Sequence, residues 1–175
     1  MFPRQAPLEV DIGCGDGSYL ATLAEQNPGN NFLGIERLVG RVRSACNKIA
    51  RQRIDNARVL LVEANYAVAY LLPRRSVSTF HILFSDPWPK RRHQRRRLLD
   101  ENFFRSLERA LRPDGVIRVV MDQHDYVDQV RDDASGIFLI ESEANAAFPS
   151  TFQRRFEAQG SPIYRLLLRK ISELR

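Results

Sequence analysis

Five times along this chain a short apolar run gives way to a stretch with helical spacing. The runs fall at residues 8–12, 31–35, 58–62, 77–84 and 116–121, and the helical stretches at 18–27, 39–53, 67–72, 100–111 and 126–134. Strand–helix units repeated in this way pair in parallel through right-handed crossovers. The alternation therefore predicts an α/β fold, a mostly parallel central sheet with helices on both faces. After Asp122 the rhythm changes. Strand candidates at 137–141 and 163–169, separated by the excursion 145–160, predict a late antiparallel hairpin.

At 175 residues the chain is expected to form a single domain spanning 1–175, large enough for a sizeable core. Lys and Arg number 27 against 21 Asp and Glu, a net charge of +6 that favours an anionic partner. No segment approaches the roughly 18 uninterrupted apolar residues of a membrane span, and the start at Met1-Phe2-Pro3-Arg4 has no apolar signal region. No membrane partner is expected, and the expected location is cytoplasmic. Cys14 and Cys46 are too few for a disulfide framework and lack zinc-ligand spacing, so both are expected to be reduced and no metal is expected.

The first strand runs into Asp11-x-Gly13-x-Gly15-x-Gly17, which opens the first helix. Glycines there let the backbone approach a ligand closely and take up positive φ without steric cost. The spacing is not the G-x-G-x-x-G of a dinucleotide fingerprint, so pyrophosphate is disfavoured. Glu36 closes the second strand, where an acid can accept both hydroxyls of a ribose. An acid before a glycine loop, with a second acid at the next strand end, is the arrangement expected for S-adenosylmethionine (SAM). On this reading Asp11 lies near the amino-acid end of the cofactor and the amides of Gly13 and Gly15 line it. Glu63, or in its place Asn65, receives the adenine amino group.

The fourth strand ends in Asp86-Pro87-Trp88-Pro89, and Lys90, Arg91, Arg92, Arg95, Arg96 and Arg97 follow within eight residues, with His93 among them. The prolines hold a turn or extended backbone that places Asp86 and Trp88 at a strand's carboxyl end, where open α/β sheets bind ligands. The basic side chains are read as a rim for phosphates, which position a nucleic acid without reading its sequence. A solvated helix start, its arginines paired with Asp100 and Glu101, is the alternative. Trp88 is read as an anchor of the loop ahead of a stacking platform.

The run Phe84-Ser85-Asp86-Pro87-Trp88-Pro89-Lys90-Arg91-Arg92-His93, with Arg96-Arg97-Leu98, resembles the signature of bacterial tRNA (guanine-N7-)-methyltransferases. The resemblance extends to Gly34-Ile35-Glu36, the glycine loop, and the late Phe156, Gly160, Ile163 and Tyr164. It implies a Rossmann-like class I SAM-dependent methyltransferase fold, SAM as cofactor, tRNA as partner, and methyl transfer to N7 of a guanine in the tRNA variable loop. Carried over by position, Asp11, Glu36, Glu63 and Asp86 fall where the family contacts SAM, and Asp86 also where it is credited with catalysis. Lys90 and Asp122 fall at substrate positions, beside the neighbouring Arg91 and Arg92. The family's late threonine-x-aromatic-glutamate motif aligns with Ser150-Thr151-Phe152-Gln153. Two departures are expected to matter: Ser150 keeps a hydroxyl while Gln153 replaces an acid, and on this reading the N-terminal extension usual in the family is expected to be absent or very short. The residues alone also fit a SAM enzyme acting on another substrate, or an inactive RNA-binding relative. Monomer and homodimer are both compatible.

Overall fold

The computed structural model describes residues 2–88, 90–142 and 162–171, without the side chain of Arg91. In chain order the elements are β1 (Leu8–Ile12), α1 (Ser18–Gln26), β2 (Asn31–Glu36), α2 (Val39–Arg51), β3 (Ala57–Leu61) and the short α3 (Ala64–Tyr66), which widens into a π turn over Ala67–Leu71. Then follow β4 (Val77–Leu83), a 3₁₀ turn (Arg91–Arg96), α4 (Glu101–Ala110), β5 (Leu111–Met121), α5 (His124–Ala134), β6 (Phe138–Ser142) and β7 (Tyr164–Lys170). The strands form one sheet in the order β3-β2-β1-β4-β5-β7-β6. The first five pair in parallel, and β7 runs antiparallel to both β5 and β6. The predicted parallel sheet with a late antiparallel hairpin is thus the observed one.

Period-2 alternation divides the core between the two faces. Leu33 and Ile35 of β2 join Val10, Phe80 and Ile117 in the larger core, with Phe103, Phe104 and Leu107 of α4 and Tyr126 and Val130 of α5. Phe32, on the opposite face, joins Leu20, Leu23 and Ala24 of α1 and Ala57 in the smaller one. Helix α4 begins where Asp100 Oδ1 accepts the Phe103 amide at 2.8 Å, a cap worth about 1 kcal/mol.

Two elements depart from expectation. The third helix begins at Ala64 because Glu63 caps it, accepting the Tyr66 amide at 3.1 Å. The stretch 112–115, left between the expected helix and the expected fifth strand, lies instead inside β5. Leu111 already pairs with Val77, and the register then skips so that Thr79 pairs with Val116. A bulge accommodates the missing donor of Pro113. Gly115 is required there, since a Cβ would stand 2.7 Å from Leu111 Cδ1 and 2.9 Å from the Ser78 carbonyl oxygen.

Candidate active site

From β1 the chain steps outward to β2 and β3 on one side, and from β4 outward to β5 on the other. The strand order therefore reverses between β1 and β4, and a crevice opens at their carboxyl ends. A cleft of about 530 Å³ occupies this place. Gly13, Glu36 and the Glu63–Asn65 turn line one side; Phe84, Asp86, Trp88 and Arg96 line the other.

Glu36 is the most engaged residue of the first side. It is buried, and its Oε1 accepts the amides of Arg37 at 2.8 Å and Leu38 at 2.9 Å. Its Oε2 accepts the Gly15 amide at 3.2 Å, with Arg41 Nη1 3.8 Å away. One carboxylate thus ties the glycine loop to the start of α2. Four lone-pair sites on a carboxylate still leave one for a ligand hydroxyl. Gly13, Gly15 and Gly17 have φ of 73°, 58° and 74°, conformations that need glycine. Gly17 is also sterically fixed, because a Cβ would lie 2.6 Å from that of Ala45 on α2.

Asp11 does not line the cleft. It is buried behind the loop, and its Oδ2 has no hydrogen-bond partner among the described residues. Burial, and secondarily the Glu36 charge, push its carboxyl up to about 7. Cys14, buried in the loop, has its thiol pushed well above the usual range by burial and by Asp11 and Glu36. Cys46 on α2 is exposed.

The other side is a strained loop. Phe84 and Trp88 adopt φ of 51° and 42°, rare for aromatic residues, each costing on the order of 1–3 kcal/mol. The Phe84 amide donates to the Val120 carbonyl at 2.7 Å. Arg97 donates from Nε to the Pro87 carbonyl at 2.8 Å and from Nη1 to Gln129 Oε1 at 2.8 Å, and pairs with Asp125. Its guanidinium also lies over the Tyr126 ring, 4.5 Å from the centroid. The expectation that all six basic side chains face an anion is corrected here: Arg97 is buried and braces the loop. Arg96 covers the face of Trp88 at 5.1 Å, and His93 meets the ring edge-on at 5.9 Å. Trp88 is therefore held in the loop as expected, yet on the cleft wall.

Asp86 is 73% exposed, with Arg37 Nη2 3.9 Å from its Oδ2. The sequence residues brought together are thus Gly13, Glu36, Glu63, Asn65 and Asp86. Gly15 acts on the cleft through Glu36. Asp122 is half-buried at the end of the neighbouring β5 and accepts from Gln123 Nε2 at 3.2 Å. Lys90 and Arg92 are exposed in and beside the 3₁₀ turn. Ser150, Thr151 and Gln153 lie outside the described residues, as does Pro89. Arg37 and Arg41 escaped the sequence reading although both line the cleft; the signal was their place just after the acid of β2.

The donor set fits SAM. Open space in front of Gly13 admits a ligand against the backbone, and Glu36 keeps an acceptor site. Fold and cleft define a class I SAM-dependent methyltransferase, and solved structures agree in architecture. A precorrin-6y C5,15-methyltransferase from Geobacter metallireducens aligns with TM-score 0.67 at 18% identity, covering 94% of this chain and 80% of that one. A SAM-dependent O-methyltransferase from Thermotoga maritima also gives 0.67, at 13% identity over 96% and 60%.

A family model described as "Putative methyltransferase" matches residues 5–166. Among curated proteins, tRNA (guanine-N(7)-)-methyltransferases are similar at 34% identity in Syntrophotalea carbinolica, over 94% of this chain and 74% of that protein, and at 32% in Geobacter metallireducens, over 99% and 86%. The one from Thermotoga maritima is 31% identical over 98% of this chain, which spans only 56% of its length. The chain belongs to the tRNA (guanine-N7-)-methyltransferase family. No helix among the described residues is long and apolar enough to cross a membrane.

Proposed function

We propose that this chain, acting as one methyltransferase domain in the cytoplasm, methylates N7 of a guanine in the variable loop of tRNA. The observation that carries the reading is the meeting of Glu36, Asp86 and Arg96 in one cleft, with an exposed basic turn at its lip. SAM supplies an electrophilic methyl group bound to a sulfonium. Guanine N7 carries a lone pair and no proton at neutral pH, so its attack needs no general base. The N7–methyl bond forms as the sulfur–methyl bond breaks, leaving S-adenosylhomocysteine and a positively charged purine.

The tasks left to the protein are alignment and electrostatics. Glu36 holds ribose and glycine loop together, with Gly13 and Gly15 shaping the loop and Asp11 behind it. Glu63 or Asn65 receives the adenine. Asp86, with Asp122 on the adjoining strand end, faces the charge that develops on guanine. Lys90, Arg91 and Arg92 draw in phosphates, and Ser150, Thr151 and Gln153 complete the substrate contacts. Near-attack alignment is worth up to roughly 7–11 kcal/mol of the barrier. The test is incubation with SAM and unmodified tRNA transcripts, followed by nucleoside mass spectrometry. We expect 7-methylguanosine mapped to the variable loop; intact SAM binding with no such product would overturn the assignment.

A further inference from the structure

We infer that α2 is a second RNA-binding surface, a phosphate track leading away from the cleft on the side opposite the Lys90–Arg96 turn. The inference rests on the tRNA reading above and extends it to a face that the sequence signature does not include. From Arg37 to Arg53 the chain carries Arg37, Arg41, Arg43, Lys48, Arg51 and Arg53, and no acid. A solvated helix face ordinarily interleaves both signs at i, i+4 spacing. Among the described residues the acidic partners of these cations lie off the helix: Glu36 for Arg41, Asp86 for Arg37 and Asp16 for Lys48. Arg43 and Arg51 are exposed and have no ion pair among the described residues.

The placement of these charges is ordered. With Ala45 buried against Gly17, the positions Arg41, Ser44, Lys48 and Arg51 follow i, i+3, i+7, i+10 and share one side of the helix. Arg41 stands in the wall of the cofactor cleft. At 1.5 Å per residue, Arg51 lies about 15 Å further along. Beside that far end is a second hollow of about 560 Å³, lined by the polar residues Asp16, Ser44, Asn47, Lys48, Arg51 and Gln52. Lys48 is fixed there by Asp16, 3.0 Å away, and by the Ser18 hydroxyl. Asp16 neutralises Lys48, so the net positive charge of the hollow comes from Arg51. Its hydroxyl, amide and guanidinium donors suit phosphate and ribose oxygens, and a polyanion is the partner whose charge complements the helix along its length.

The experiment measures tRNA binding by the full chain and by Arg43→Ala/Arg51→Ala across a salt series, with SAM titrated in parallel as the folding control. Neither residue touches the cleft. The double variant is expected to bind tRNA roughly tenfold more weakly at low salt, with the log–log salt slope shallower by about 1.5. The Arg43→Lys/Arg51→Lys variant should restore both. If the parent chain binds and methylates tRNA while the alanine variant matches it in affinity and slope, α2 lies outside the RNA path and its charge serves an acidic protein or solvent. If the parent neither binds nor methylates tRNA, the assignment of function fails, and this inference with it.

Discussion

Arg97 Nε reaches the carbonyl of Pro87 at 2.8 Å, so a residue of the basic run holds the loop that presents Asp86. The same guanidinium is pinned by Asp125 and Gln129 and packed on Tyr126. One of the six basic residues is thereby converted from a surface charge into a brace for two aromatic residues at positive φ.

Arg97 and Arg92 are therefore expected to fail differently. Arg97→Ala leaves a loop carbonyl and two side chains without their donor and should cost about 3 kcal/mol, read as a lower midpoint in urea. Arg92→Ala should leave the midpoint unchanged and weaken tRNA binding, reducing the salt slope by about 0.7–0.9.

Asp86→Ala should lower the single-turnover methylation rate on the order of 100-fold with the thermal midpoint preserved, because its side chain is exposed and its ion pair with Arg37 is long. A near-parental rate in a rapid-quench experiment would remove Asp86 from the chemistry.

Asp11 makes stability depend on pH. Its folded-state value, about 7, lies above the ordinary 3.8, so between those values the native state binds more protons than the unfolded chain. Stability from this group is present below about pH 4, declines as pH rises towards 7, and then levels off. Asp11→Asn should abolish that decline. The variant should match the parent near pH 4 and exceed it near pH 8, by up to about 4 kcal/mol in denaturant titrations.

Gly17→Ala should destabilise the chain by about 3 kcal/mol, combining a positive φ with a Cβ driven into Ala45. Calorimetry should show a lower melting temperature, and SAM affinity should fall with it, because the loop and α2 can no longer close on Glu36.

The sheet was readable because the strands are short, largely apolar runs separated by stretches of helical spacing; β2, buried along its length, and α4, with one apolar stripe, show the two patterns. Gly13, Glu36 and Asp86 were readable because strand ends meet at the crevice wherever this topology occurs. The fate of Arg97 was not, since neighbouring arginines differ only in the direction the 3₁₀ turn gives them. Its contacts with Asp125 and Gln129 span 28 and 32 residues. The bulge at Pro113–Gly115 was missed because Pro-Asp-Gly is ordinary turn chemistry, and only pairing with Val77 reveals a strand. Arg37 and Arg41 went unread because their meaning depends on Glu36 binding the start of α2.

The contrast between the two cysteines makes the chain its own reporter. Cys14 is enclosed and its thiol resists ionisation, while Cys46 stands exposed on α2. A maleimide dye added to the native protein will therefore attach at one position, on the very helix assigned to RNA. Docking can then be followed in real time by fluorescence, and mapped by alkylation kinetics, without altering a single residue.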